Sequence, residues 1–157
     1  MKTVREFVNE DNITGLYSKN TEYIIYQNFI KFLKEKFNIK KDVSLKLLKN
    51  SLSSQFGHID LKSKKYKITV VNSGYNVLPK IAHEFIHINQ IDKGLLNFNE
   101  GDIIWKNKII MTVDEYVSNS DFNIHKKVPF EKEAYNIQDK LANDFYKSKY
   151  YISLKGM

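Results

Sequence analysis

The stretch Ile81-Ala82-His83-Glu84-Phe85-Ile86-His87-Ile88-Asn89-Gln90 carries H-E-x-x-H inside a run of helical periodicity. Positions i and i+4 of a helix lie one above the other on the same face, so His83 and His87 can direct imidazole nitrogens at a single cation. Two such nitrogens supply two ligands of a zinc site. Glu84 follows His83 by one position, where its carboxylate can reach a water on the metal without occupying a coordination place, as a general base requires. Ile81, Phe85 and Ile88 form an apolar stripe on the face away from the histidines, and Pro79 is suited to the first helical position. The pattern predicts a helix that buries one face and offers a metal site on the other.

The chain has 157 residues, of which 42% are apolar and 13% aromatic, enough for one globular core and too few for two ordinary domains. A single domain over residues 1–157 is expected, with 1–20 as a peripheral segment and loop. Cysteine is absent, which excludes a disulfide framework, a thiolate nucleophile and any Cys-based zinc finger. Any zinc must therefore be held by nitrogen and oxygen. No apolar run has secretory or membrane-spanning length, so a cytoplasmic protein with no membrane partner is expected. The net charge is +7 and comes almost wholly from lysine, Arg5 being the only arginine. Lysine is a point charge suited to phosphate, whereas base reading relies on the planar arginine fork. Loose attraction of nucleic acid through lysines is the most this distribution implies.

Working outward from the histidine helix, three- and four-residue steps predict an amphipathic helix from Thr21 to about Phe37, with Asn20 or Thr21 as cap. Its aromatic stripe reads as a core face. Val43–Leu48 reads as a strand, and Gln55–Leu61 with Lys65–Val71 as a hairpin turning at Lys62-Ser63-Lys64. His58 falls in this strand region and is left out of the site. After the histidine helix, which runs out near Gly94, a polar loop is expected from Asn97 to Gly101. Two short strands, Asp102–Lys106 and Lys108–Val113, follow around a turn at Asn107. Ser118–Lys127 reads as loop. A last helix starts at Pro129 and runs to about Tyr150 on the steps Phe130, Ala134, Ile137, Leu141 and Phe145. The fold class is α+β: an N-terminal helix, a small mixed or antiparallel sheet, the H-E-x-x-H helix and a C-terminal helix.

A catalytic zinc site commonly has three protein ligands and a water. The last helix offers Glu131 and Glu133 in its first turn, and two residues apart means roughly 200° around the axis, so only one can face a site. Glu131 shares a face with Tyr135 and Gln138, with Ala134 beside it; a small residue there lets two helices approach closely. His125 and Asp114 are further candidates.

These residues resemble a known pattern. In thermolysin-like zinc peptidases, the gluzincins, H-E-x-x-H is followed by a second helix bearing E-x-x-A or E-x-x-S, whose Glu ligates zinc; Glu131-Lys132-Glu133-Ala134 fits. The chain is similar still more closely to small H-E-x-x-H-x-x-Q proteins often encoded by phages and mobile elements. Those tend to carry a Trp-containing hairpin and then Pro, Phe or Trp, and E-x-E-A-Y. His83 through Gln90, Trp105, Tyr116 and Pro129-Phe130-Glu131-Lys132-Glu133-Ala134-Tyr135 stand in that order over about residues 66 to 140. Tyr135 departs from larger gluzincins, which place there an Asp that orients a ligating histidine. The metzincin extension would need glycine at position 90 and histidine at position 93, where this chain has Gln90 and Lys93. Thr112-Val113-Asp114-Glu115-Tyr116 echoes an aspzincin element without its glycines.

The resemblance implies a minimal zincin fold and a zinc-dependent peptide-bond hydrolase. His83, His87 and Glu131 would bind Zn2+, with His125 and then Asp114 as alternatives to Glu131. Glu84 would be the general base, and Tyr135 or Tyr116 would stabilise the oxyanion. A peptide or protein substrate is expected, adding as a strand along the Lys65–Val71 edge. The alternative from a different class is a catalytically inactive zincin-fold binding or assembly protein that contacts nucleic acid or an acidic partner.

Overall fold

The computed structural model describes residues 16–48, 57–59, 65–72, 76–119 and 121–155. In chain order these form α1 (Leu16–Phe37), β1 (Val43–Leu48), β2 (Gly57–Ile59), β3 (Tyr66–Val71) and α2 (Val77–Asp92). There follow β4 (Leu96–Asn99), β5 (Asp102–Trp105), β6 (Lys108–Thr112), α3 (Val113–Ser118), α4 (Phe122–His125), α5 (Pro129–Tyr146) and α6 (Lys149–Ile152). The architecture is mixed α+β. One three-stranded mixed sheet has the order β1-β3-β2, and a separate antiparallel sheet has the order β4-β5-β6.

The first sheet corrects one expectation. β3 pairs with β1 in parallel, Val43 opposite Tyr66, and with β2 in antiparallel, Gly57 opposite Val70. It is thus the central strand, and both of its hydrogen-bonding edges are occupied. A peptide strand along Lys65–Val71 would meet β1 on one side and, over Ile68–Val70, β2 on the other; among the described residues the edges of this sheet are β1 and β2. The predicted turn at Lys62-Ser63-Lys64 lies outside the described residues.

Helix boundaries shift for local reasons. α1 extends back to Leu16, so Thr21 is inside it and is not its cap. Gly15 is the last breaker, and no Gly or Pro between 16 and 20 stops the helix from continuing. α2 starts at Val77, which puts Pro79 in its third position; the missing N–H costs nothing there, because the first turn's donors have no partner within the helix. Its end is a Schellman motif. Gly94 adopts φ 75°, the Leu95 N–H donates to the Gln90 carbonyl at 2.8 Å, and the Gly94 N–H donates to the Ile91 carbonyl at 3.0 Å. The chain then turns directly into β4, where a loop had been expected.

β4 was missed because only Leu96 of its alternating Leu96-Asn97-Phe98-Asn99 is buried, as befits an edge strand. The turn at Asn107 is a tight two-residue hairpin in which Lys106 and Asn107 both have positive φ, 50° and 68°, the geometry that matches strand twist. α3 occupies residues whose pattern suggests the end of a strand and the start of a loop. The signal was present: the Thr112 side chain accepts from the Glu115 N–H at 3.0 Å, as Thr-x-x-Glu at a helix start allows. α5 begins at Pro129 as expected but stops at Tyr146, and a separate turn of helix, α6, follows.

Two apolar clusters hold these elements. The larger joins α1 (Phe29, Leu33), the first sheet (Leu45, Ile68, Val70), the buried stripe of α2 (Ile81, Phe85, Ile88) and α5 (Ala134, Leu141, Phe145). The smaller joins Leu96, Ile103 and Trp105 of the second sheet to Val128 and Phe130 at the start of α5. α2 and α5 form the most extensive helix pair, and Ala82 and Ala134, both wholly buried, keep their axes close. Phe85 is wholly buried and stacks on Phe37 with ring centroids 6.0 Å apart. Phe85→Ala is expected to cost about 3–5 kcal/mol, read as a lowered urea midpoint of unfolding. A loss below about 1 kcal/mol would mean that α2 does not carry the core in this way.

Candidate metal centre

α2 and α5 together build the site. His83 and His87 leave α2 on the face toward α5, and Glu131 comes from the first turn of α5. All three are buried, at 8%, 8% and 6% relative exposure. Their ligand atoms lie within 4.8 Å of one another, the one His/Cys/Asp/Glu group among the described residues that can hold a metal ion. The His83 and His87 Nε2 atoms are 3.2 Å apart, and Glu131 Oε1 is 3.5 Å from His83 Nε2. Glu131 Oε1 also contacts His87 Nε2 directly. Ligands about 2.0–2.1 Å from a tetrahedral ion are separated by about 3.3 Å. His83 thus stands at that spacing from both other ligands, while Glu131 and His87 are in direct contact and would have to part for an ion to sit between them.

Glu131 reaches this position because the residues around it are fixed. Pro129 opens the helix at its first position, Phe130 is buried among Trp105, Tyr116 and His87 at centroid distances of 6.2, 5.7 and 5.9 Å, and Ala134 lies one turn on. A carboxylate in the first turn is also favoured by the helix dipole. The second sheet thus acts on the site through Phe130.

Both imidazole rings are held by glutamine. His83 Nδ1 is 2.8 Å from Gln138 Oε1, and His87 Nδ1 is 2.8 Å from Gln90 Oε1. This answers the question left by Tyr135, which stands where a gluzincin has its orienting Asp. Tyr135 instead lays its ring against His83, centroids 4.4 Å apart. Sequence reasoning did not single out either glutamine for this role. Gln90 is three residues beyond His87 and Gln138 is seven beyond Glu131, both spacings that share a helix face, and that was the available signal.

The other expected residues fall as follows. Glu84 is half-buried on α2, and its charge acts on His87, Tyr116 and Tyr135. The Tyr116 hydroxyl hydrogen-bonds the Glu131 carboxylate; burial, then the charges of Glu131 and Glu84, hold its proton far more tightly than an ordinary phenol does. Tyr135 is pushed up to about 12 by burial and by the same two carboxylates. Both hydroxyls are donors at neutral pH. Glu133 does not join the triad but accepts from Gln90 Nε2 at 3.1 Å. His125 stacks on the Tyr116 ring at 4.5 Å and 7°, and its Nε2 hydrogen-bonds the Tyr116 carbonyl at 3.0 Å. Asp114 is exposed at the start of α3. Neither alternative third ligand enters the group.

Charge in the triad is strongly coupled. Burial pulls the His87 pKa down, but the hydrogen bond and charge of Glu131, aided by Glu84 and Gln90, outweigh it and raise the value to about 9. Burial pushes Glu131 up, but hydrogen bonds and charge from His83 and His87 outweigh that and lower it to about 2. A raised imidazole contributes stability below its unfolded value of about 6.5 and loses it as pH rises through 9. A depressed carboxylate contributes above its unfolded value of about 4.5 and loses it as pH falls through 2. The metal-free pair is therefore most stabilising between those unfolded values.

A cation that takes His87 Nε2 displaces its proton. Zinc binding at pH 7 should release about one proton, and affinity should fall as pH is lowered below about 9. Calorimetry in buffers of different ionisation heat reads the proton directly; binding with no proton release would contradict the coupled triad.

No helix among the described residues is long and apolar enough to cross a membrane. Comparison of the chain with protein-family models, with curated proteins and with solved structures returned no match in any of the three.

Proposed function

We propose that the chain is a zinc-dependent peptide-bond hydrolase with a minimal gluzincin-type site, His83, His87 and Glu131 holding the ion. The observation that carries this reading is the convergence of two Nε2 atoms and one carboxylate oxygen within 4.8 Å, with Glu84 next in sequence to the first histidine. Two imidazoles and one carboxylate are a donor set typical of catalytic zinc, which keeps a fourth position for water or substrate. The absence of thiolates argues against a purely structural Cys-rich centre.

Zinc bound there would supply a Lewis acid for the substrate carbonyl and would lower the pKa of water toward about 7. The chain's own residues do the rest. Glu84, held on α2 beside the ligands, takes the proton of the attacking water and returns it to the leaving amine. Tyr135, with its ring against His83 and its hydroxyl protonated at neutral pH, is the better-placed candidate donor to the oxyanion. Tyr116 is already bonded to Glu131, which suits it to holding that ligand in orientation.

Glu84→Gln keeps the size of the side chain and removes the base. The expected result is unchanged zinc content with cleavage of a peptide library reduced about 10²–10⁴-fold. A Glu84→Gln protein that retains zinc and cleaves as fast as the parent would overturn the base assignment. A zinc-loaded parent that cleaves nothing would favour the binding or assembly role instead.

A further inference from the structure

The two glutamines that hold the imidazoles differ in what else they touch. Gln90 is wholly buried, and each half of its amide is committed. Its Nε2 donates to the Phe130 carbonyl at 3.0 Å and to Glu133 Oε1 at 3.1 Å, both groups that only accept. That fixes which end of the amide is nitrogen. Oε1 must then face His87 Nδ1, 2.8 Å away, and an oxygen there requires that Nδ1 carry the hydrogen. The nitrogen left for a cation is then Nε2, the atom that faces Glu131 and His83, once the ion has displaced its proton. Gln138 also gives His83 Nδ1 an oxygen at 2.8 Å, but it is only half-buried, and an acceptor is all that His83 asks of it.

We propose that Gln90 is a positioning residue that must be an amide: it selects the His87 nitrogen offered to the metal while tying α2 to the start of α5. Gln138 is a positioning residue that need only accept. The inference rests on the metal reading of the same site and adds to it a chemical asymmetry between two identical residue types. Glutamate at position 138 would still take the His83 proton. At position 90 it would still take the His87 proton, but its other oxygen would meet the Phe130 carbonyl and the Glu133 carboxylate, three acceptors with no hydrogen among them. The same link makes the position of Glu131 depend on Gln90, since Phe130 and Glu133 flank it.

The test compares Gln138→Glu, Gln138→Ala, Gln90→Glu and the swap Gln90→Glu/Glu133→Gln. Two readouts are used: zinc affinity by chelator competition, and the urea midpoint of metal-free protein. Gln138→Glu should bind zinc within about threefold of the parent, and Gln138→Ala about 10–100-fold more weakly, with little change in midpoint. Gln90→Glu should lower the midpoint and weaken zinc at least as much, although its acceptor is conserved. The swap returns a donor to the 90–133 pair, though not to the Phe130 carbonyl, and should recover part of both losses, so a poorly folding single variant still leaves the comparison decisive. A Gln90→Glu protein equal to the parent, a Gln138→Ala protein with parental affinity, or a swap no better than the single change would each overturn the inference. A parent that takes up no stoichiometric zinc would overturn the metal reading itself, which is distinguishable from a zinc-binding parent indifferent to these substitutions.

Discussion

A carboxylate buried between two imidazoles places the strictest demand on how α2 and α5 meet. Removing an ionised Glu from water is costly unless charge and hydrogen bonds surround it. Glu131 meets that demand with His83 and His87 on one side and the Tyr116 hydroxyl on another. The two imidazoles come from α2 and the hydroxyl from α3, so Glu131 on α5 meets all three partners only when these helices are in place. The coupling runs both ways: the site needs the fold, and the start of α5 is held partly by the site.

The two apolar clusters divide this task. The larger one orients α2 by burying Ile81, Phe85 and Ile88, which turns the histidines toward α5. The smaller one, a three-stranded sheet with Trp105 against Phe130, pins the first turn of α5 and hence the carboxylate. Between them lie the polar connections from Gln90 and Gln138, which meet the imidazole rings, Gln90 also bonding α2 to the start of α5. Packing brings the ligands near each other, and the amides decide which nitrogen each ring presents. A group held by both kinds of contact has its side chains ordered in advance, which would lower the ordering cost of binding an ion.

Much of the site was legible because helical spacing is local. His83, Glu84 and His87 follow from one turn of helix, and the face shared by Glu131, Ala134, Tyr135 and Gln138 follows from the next helix read in the same way. That Glu131 and not Glu133 turns inward could not come from spacing alone, since both sit in the same turn; it is decided by Phe130 entering the second cluster. The sheet was harder. Parallel pairing of β1 with β3 joins residues more than twenty positions apart, and no local pattern distinguishes a central strand from an edge when both are apolar. β4 and α3 were overlooked for the opposite reason: they are short and mostly exposed, so their hydrophobic signal is weak although Thr112 and Gly94 mark their boundaries.

Whether these three side chains hold one four-coordinate zinc in solution can be read by X-ray absorption at the zinc edge of the loaded protein. The expected spectrum shows one zinc per chain with nitrogen and oxygen neighbours only, at about 2.0–2.1 Å, and outer-shell scattering from two imidazole rings. A centre without imidazole scattering, or protein that retains no zinc after removal of free metal, would contradict it.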